Sequence, residues 1–466
     1  MTQTKVPATE GVLAHLKAGH DRILAELVEF AAIPSVSTDP AHAADMHAAA
    51  RWVAGKLAAA GPLNVRTIAT AGNPVVYGEW LGAPGKLTVL VYGHYDVQPP
   101  DPLGKWTTPP FTPTVRDGRL YARGVSDDKG PMFIPLKVAE SFFAMAGALP
   151  INVKFMFEGE EEIGSKHLEQ FIEEHKDLLA ADFVLSADGA MWRINEPSLT
   201  VASRGLAGLE LTLTAAQKDL HSGRHGGGVA NPLHAMARLI ASLHDDDGRV
   251  TVKGFYDRVV ELTKDERDAI KALPFDEPAY LKQVGAPAPF GEAGYSTLER
   301  QWARPTLELN GMWGGYEGPG QKTVIPSEAH AKITCRLVPD QDPAEIIELV
   351  REHVKSHVPP GTTLTVNVSD HGARPSHIAR SHPALTTAAS ALTTVYGVPP
   401  LIVRMGGTVP ISELFQRIMQ LDTVFFSFST ADEDYHAPNE FFRIHRLHEG
   451  LEAWARYWQL LGEARA

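Results

Sequence analysis

The sequence predicts an α/β fold: a mostly parallel sheet covered by helices, interrupted by an inserted α+β segment. Three observations predict it. Short continuous apolar runs, such as residues 87–92, have the pattern of strands covered on both faces. These runs alternate with stretches of helical apolar spacing. From about Leu199 the pattern changes to alternating strands and polar helices, and near Pro375 the first pattern returns.

In chain order, Ile23, Leu24, Leu27 and Phe30 mark a helix that stops before Pro34. Residues 46–60 read as a second helix, closed by Gly61 and Pro62. Residues 87–92 read as a strand, broken at Gly93. A helix at 130–146, a strand at 151–157, a helix starting near Ser165 and a strand at 183–186 follow. The ligand crevice of such a sheet lies beyond the carboxyl ends of its strands. His94, the run Glu160-Glu161-Glu162 and Asp188 fall there. In the inserted segment, residues 199–217 and 327–339 alternate as strands, 232–243 read as a helix, and 255–285 is polar and helical. A helix at 385–396 and a strand at 424–429 resume the α/β pattern. The expected domains are therefore 1–198 with 376–466, and 199–375 between them.

The 466 residues carry 43 Lys and Arg against 56 Asp and Glu, a formal net charge of −13. That balance argues against nucleic acid or an anionic membrane as the main partner. No apolar run approaches the ~18 residues of a spanning helix. The opening stretch "MTQTKVPATEGVLAHLKAGH" has neither an apolar core nor a small-residue cleavage site, so no secretory signal is expected. Cys335 is the only cysteine, so no intramolecular disulfide forms. A reducing, cytoplasmic location is the expectation.

Five segments place metal-type side chains at strand ends or on loops: His94 with Asp96, Asp127, Glu161 with Glu162, Asp188, and His436. Each alone has a plain structural explanation. A histidine after a strand is usually hydrogen-bonded or solvated. Acidic runs favour the first turn of a helix. Asp127 suits a helix cap and Asp188 a turn. Together the explanation changes, because two imidazoles and several carboxylates facing one crevice need a cation to relieve their repulsion. A mixed His/carboxylate set suits zinc, with manganese or cobalt as alternatives.

The ordered motifs "GHYDVQP", "RGVSDDKG", "EGEEEIGS", "DLHSG" and "HAPNE" resemble the co-catalytic di-zinc peptidases. That family contains carnosine and non-specific dipeptidases, glutamate carboxypeptidases, acetylornithine deacetylase and succinyl-diaminopimelate desuccinylase. The run "GGYEGPGQKTVIPSEAHAKITCRLVPDQDP" is most similar to the cytosolic dipeptidase branch. The resemblance implies a metallopeptidase domain with an inserted lid and dimerisation domain, two divalent ions per subunit, and a homodimer. Asp127 would bridge the ions, His94 and Asp188 completing one site and Glu162 and His436 the other. Glu161 would be the general base and Asp96 would orient the His94 ring. His221 would contact substrate and stabilise the oxyanion, reaching in from the partner subunit. Thr323 and Arg336 would take the free carboxylate of the substrate. In "RMGGTVP", Arg404, Gly407 and Thr408 match a substrate loop, with Met405 and Thr408 departing from its usual Glu and Ser. A cis peptide is implied between Asp127 and Asp128. The implied activity is hydrolysis of a dipeptide amide by a metal-bridged hydroxide. The competing readings are an N-acyl amino acid deacylase or desuccinylase and, from another class, a non-catalytic binding protein on the same fold.

Overall fold

The structure, a computed structural model, describes residues 9–369 and 372–464. Residues 1–8, the start of the stretch read for a secretory signal, lie outside the described residues. In chain order the strands used below are β1 Asn64–Ile68, β2 Val75–Trp80, β3 Thr88–His94, β4 Asn152–Glu158, β5 Phe183–Ser186, β6 Gly205–Thr214, β7 Thr306–Trp313, β8 Glu328–Leu337, β9 Thr363–Val368 and β10 Thr423–Phe425. The chain divides into two units: Met1–Val201, Ile378–Val403 and Leu414–Ala466 form the first, and Ala202–His377 and Arg404–Glu413 the second.

The first unit is built on a sheet of order β1-β2-β4-β3-β5-β10. Strands β4, β3, β5 and β10 run parallel, while β1 and β2 form an antiparallel edge. Residues of β3, β4 and β5 are buried almost throughout, as strands between two helical layers must be. Helices Ala43–Ala60, Gly130–Ala146, Pro383–Tyr396 and Ile444–Glu463 contribute to the same apolar core as Val89, Val91, Phe155 and Leu185. Strand β3 pairs in register with β4 up to His94 opposite Glu158, so the imidazole stands on the last rung of the ladder.

Two elements differ from expectation. The strand expected at 424–429 pairs only as β10, opposite Val184–Ser186. Beyond it the Ser427 and Ser429 hydroxyls make loop hydrogen bonds in place of a ladder. The helix expected near Ser165 begins at Leu168, because Glu161–Ile163 form a tight 3-10 turn closed by Gly164 at φ 82°.

The second unit carries an antiparallel sheet of order β7-β8-β6-β9. Alternation sends Leu209, Leu211, Ile333 and Cys335 into a core with Met236, Leu239, Val350 and Val354 of helices Pro232–Ala241 and Pro343–Ser356. Cys335 is packing: burial pushes its thiol up to about 12. Alternation turns Arg336 and Thr334 to the opposite face. The segment Arg404–Glu413 groups with this unit, whereas the sequence boundary at 376 assigned it to the other domain. The reason is local: the Arg204 backbone N–H donates to the Gly407 carbonyl (2.9 Å) and its Nε to the Gly406 carbonyl (2.8 Å). Among the described residues, no helix is long and apolar enough to cross a membrane.

Candidate metal centre

The site in the first unit grows from the end of β3. Residue 93 must be glycine there: a Cβ would lie 2.7 Å from both Asp128 Oδ2 and Met132 Cβ. That close approach lets Asp128 Oδ2 accept the His94 backbone N–H at 3.2 Å. The buried His94 ring has Nδ1 3.1 Å from the Asp96 carbonyl oxygen and 3.4 Å from its carboxylate. The nearer acceptor for the ring is thus the backbone, where the sequence pointed to the side chain. The Asp96 carboxylate instead accepts the backbone N–H groups of Glu161 (3.2 Å) and Glu162 (3.1 Å). It ties the glutamate turn to the end of β3.

Asp127 lies between the two histidines, Oδ1 3.1 Å from His94 Nε2 and Oδ2 3.0 Å from His436 Nε2. The peptide between Asp127 and Asp128 is cis. His436 Nε2 is also 3.2 Å from Glu162 Oε2. Two triads have ligand atoms within 4.8 Å of one another: His94, Asp127 and Asp188, and Asp127, Glu162 and His436. Asp127 belongs to both and Glu161 to neither. Glu160, the first acid of the run, turns away to His167 at 2.8 Å.

The electrostatics are those of like charges gathered in a buried site. Burial pushes the Asp188 carboxyl up to about 6, with the charges of Asp127 and Glu162 adding and His94 opposing. Burial likewise holds Glu161 well above the usual carboxylate range, with Asp188, Glu162 and Asp127 adding to it. Burial disfavours charge on His94, but its bonds to Asp127 and Asp96 outweigh that and raise it. Hydrogen bonds to Asp127 and Glu162 lift His436 to about 10. Burial opposes the charge on Asp127, yet the two imidazoles hold it below the usual range. The surrounding carboxylates thus favour the charged form of both imidazoles, as a divalent cation in their place would be favoured, and the donor set of two imidazoles and three carboxylates fits such cations.

Sequence reasoning passed over two residues here. Glu440 ends the motif "HAPNE", and its carboxylate receives backbone N–H groups of the loop that carries Asp127. A charged residue closing a motif that already holds a ligand was the available signal. Arg204, in the second unit, anchors the loop at 406–407; burial and the neighbouring Arg336 pull its guanidinium down to about 10. An arginine at the start of an apolar strand was the signal for it.

The remaining expected residues lie in the second unit. His221 is exposed on the short strand Leu220–His221, which pairs with Val324–Ile325. Its Nδ1 accepts the Gly223 N–H at 3.0 Å, which makes Nε2 the ring's donor. Thr323 stands beside it, its carbonyl accepting the Ser222 N–H at 3.0 Å. Arg336 Nη1 donates to Thr408 Oγ1 at 3.0 Å. Arg336, Arg204, Thr306 and Glu308 help line a cavity of about 630 Å³. Arg404 is engaged with Glu266 at 2.6 Å. The structure thus joins Arg336 to Thr408 and sets His221 next to Thr323, while Arg404 is committed to an acid.

The chain matches the model of Peptidase family M20/M25/M40 over residues 90–460. It is similar to Beta-Ala-His dipeptidase of Homo sapiens, 32% identical over 390 residues that cover 83% of this chain and 77% of that protein. It is also similar to the Cys-Gly metallodipeptidase DUG1 of Saccharomyces cerevisiae, 30% identical over 452 residues, 93% of this chain and 94% of that one. Among solved structures, human carnosine dipeptidase 1 matches with a TM-score of 0.79 and 30% identity, covering 99% of this chain and 100% of the other. The M20 family metallo-carboxypeptidase Sso-CP2 from Sulfolobus solfataricus matches with a TM-score of 0.81 and 32% identity, covering 95% and 99%.

Proposed function

We propose, from the premise that this chain belongs to peptidase family M20/M25/M40, that it is a metal-dependent dipeptidase. The observation that carries the reading is the pair of ligand triads sharing Asp127, with Glu161 outside both. His94, Asp127 and Asp188 would hold one divalent ion, and Asp127, Glu162 and His436 a second, zinc first and manganese or cobalt as alternatives. When bound, such ions act as Lewis acids toward the scissile carbonyl and the attacking water.

The chain's own residues do the rest. The Glu161 carboxylate takes a proton from the water and delivers it to the leaving amine. Its place outside both triads suits a base better than a ligand. The Asp96 carboxylate fixes the backbone of Glu161 and Glu162 through their N–H groups, while its carbonyl holds the His94 ring. His221 Nε2–H is the donor for the developing oxyanion. Arg336, with Thr323, takes the free carboxylate, which suits a planar guanidinium. Gly407 and Thr408 line the substrate's approach, and Arg404 supports that loop through Glu266.

A homodimer through the second unit belongs to the same reading. Strand β7 is an edge strand on which Leu309, Met312 and Trp313 are exposed, a surface that invites a second copy. A cytoplasmic location fits the single buried cysteine.

The test is a substrate panel on metal-loaded protein. Dipeptides with free carboxylates should be hydrolysed, and chelation should abolish turnover until Zn²⁺, Mn²⁺ or Co²⁺ is returned. Preference for N-acyl amino acids would replace this reading with a deacylase, and full activity in protein shown to be metal-free would refute it.

A further inference from the structure

Glu440 is 1% exposed and immediately precedes the short strand Phe441–Arg443. Its carboxylate accepts four hydrogen bonds. Oε2 takes the Gly124 N–H and Arg123 Nη1, each at 2.7 Å. Oε1 takes the Ser126 N–H at 2.9 Å and the Asp127 N–H at 3.2 Å. An ordinary buried ion pair with Arg123 would explain only one of these. Three backbone N–H groups aimed at one carboxylate, one of them belonging to Asp127 itself, make a cradle for a loop.

The segment that supplies Glu440 holds the same loop at other points. Glu433, fully buried, accepts the Ser126 hydroxyl at 2.7 Å, and the Ser429 hydroxyl donates to the Ser126 carbonyl at 2.5 Å. His436 lies on that segment too, between Asp434 and Asn439, and all three adopt positive φ. The Asn439 side chain fixes the loop further, accepting the Thr107 N–H at 2.8 Å and donating to the Lys105 carbonyl at 3.0 Å. One buried carboxylate thus links the backbone of Asp127 to the loop of His436.

We propose that Glu440 is a positioning residue for the metal centre: it fixes where the Asp127 carboxylate sits between His94 and His436. The inference rests on the metal-binding reading above and adds to it the residue that sets the spacing of the two triads. A carboxylate does this where a neutral acceptor cannot, because both of its oxygens accept and neither donates. In Glu440→Gln one oxygen becomes an NH₂ group facing N–H groups, so either the Ser126/Asp127 side or the Gly124/Arg123 side loses its acceptor.

The experiment loads wild-type, Glu440→Gln and Glu433→Gln proteins with Co²⁺. It records the visible absorption of the bound ion, the affinity and stoichiometry of binding, and kcat and KM. Glu440→Gln should change the Co²⁺ spectrum and weaken binding by about 10–100-fold, the usual effect of losing a hydrogen-bond partner behind a ligand. Its kcat should fall while KM holds. Glu433→Gln, whose carboxylate meets the Ser126 hydroxyl, the Thr430 N–H and Arg443 but not the Asp127 amide, should change the spectrum and the affinity clearly less than Glu440→Gln. If Glu440→Gln does not fold, Glu440→Asp, which keeps the charge and withdraws it by one methylene, carries the same spectroscopic test. A wild-type spectrum and affinity in the Glu440 variant, or equal changes in both variants, would overturn the proposal. Failure of wild-type protein to bind Co²⁺ at all would instead bring down the reading of the site itself, and this inference with it.

Discussion

Glu161 and Glu162 are neighbours in the chain, and the same carboxylate, Asp96, holds both backbones. Only Glu162 joins a ligand triad. Glu161→Gln should therefore keep metal bound and lower kcat by roughly 10²–10⁴, whereas Glu162→Gln should lose metal; parallel metal loss in both variants would show the roles misassigned. The protons on the histidines give a second prediction. His436 is lifted to about 10 and His94 is raised, so a metal entering at neutral pH must displace protons. Metal affinity should rise with pH, with on the order of one to two protons released per cluster filled. Calorimetry in buffers of different ionisation enthalpy measures this. The sign for the metal-free fold is opposite. A raised histidine pKa adds stability that is complete below the unfolded value of 6.5 and fades as pH climbs toward about 10. Adding metal should therefore raise the melting temperature more at pH 8 than at pH 6. The clustering of these acids and imidazoles was legible in the sequence because each sits at a strand end or in a short acidic motif. The use of the Asp96 carboxylate was not, since it depends on where a turn some 65 residues later packs against β3.

At the scale of elements, legibility followed burial only in part, since β2 is buried from Val75 to Gly78 and went unread. Strand 183–186 and helix 130–146 were readable from apolar pattern alone, and the structure has both with those bounds. β1 went unread because it lies at a sheet edge with an exposed, mixed face. β10 was read too long because Phe426 and Phe428 are buried as a strand's residues are, without pairing along a ladder. Apolarity reports burial, and only partners report a strand. Gly93 shows the converse, a constraint that pattern cannot see. Its missing side chain lets β3 lie against Asp128 and Met132. Gly93→Ala should cost about 1–3 kcal/mol of stability, the usual range for overpacking a core. It should also disturb the Asp128 contact to the His94 amide, so metal affinity should fall along with the denaturation midpoint. A variant with unchanged midpoint and unchanged metal binding would show that the loop yields freely there.

At the scale of the whole molecule, the change of pattern near Leu199 and the return of the first pattern near Pro375 were visible as shifts in periodicity. The allegiance of Arg404–Glu413 was not, because hydrogen bonds from Arg204 decide it. The last prediction concerns assembly. In the first unit, the two triads are built of acids and imidazoles that face one another, and under the proposed function the oxyanion's donor comes from elsewhere. His221, in the second unit, is exposed and has Nδ1 occupied by the Gly223 amide, so its donor is Nε2–H. The resemblance assigns such a histidine to the partner's site, and the exposed apolar edge at β7 gives the second unit a surface for pairing. Light scattering should therefore report a dimer, and Met312→Glu should weaken it. His221→Ala should retain metal and fold but lose turnover, as should Glu161→Gln for a different reason. When the two inactive variants are mixed and allowed to exchange subunits, each heterodimer has one site with both residues intact and one with neither. Activity should then rise toward about a quarter of wild type, because half of the dimers in an even mixture are mixed and half of their sites are whole. Heterodimers that form, as native mass spectrometry would reveal, and remain as inactive as their parents would place His221 in the site of its own chain or outside catalysis altogether.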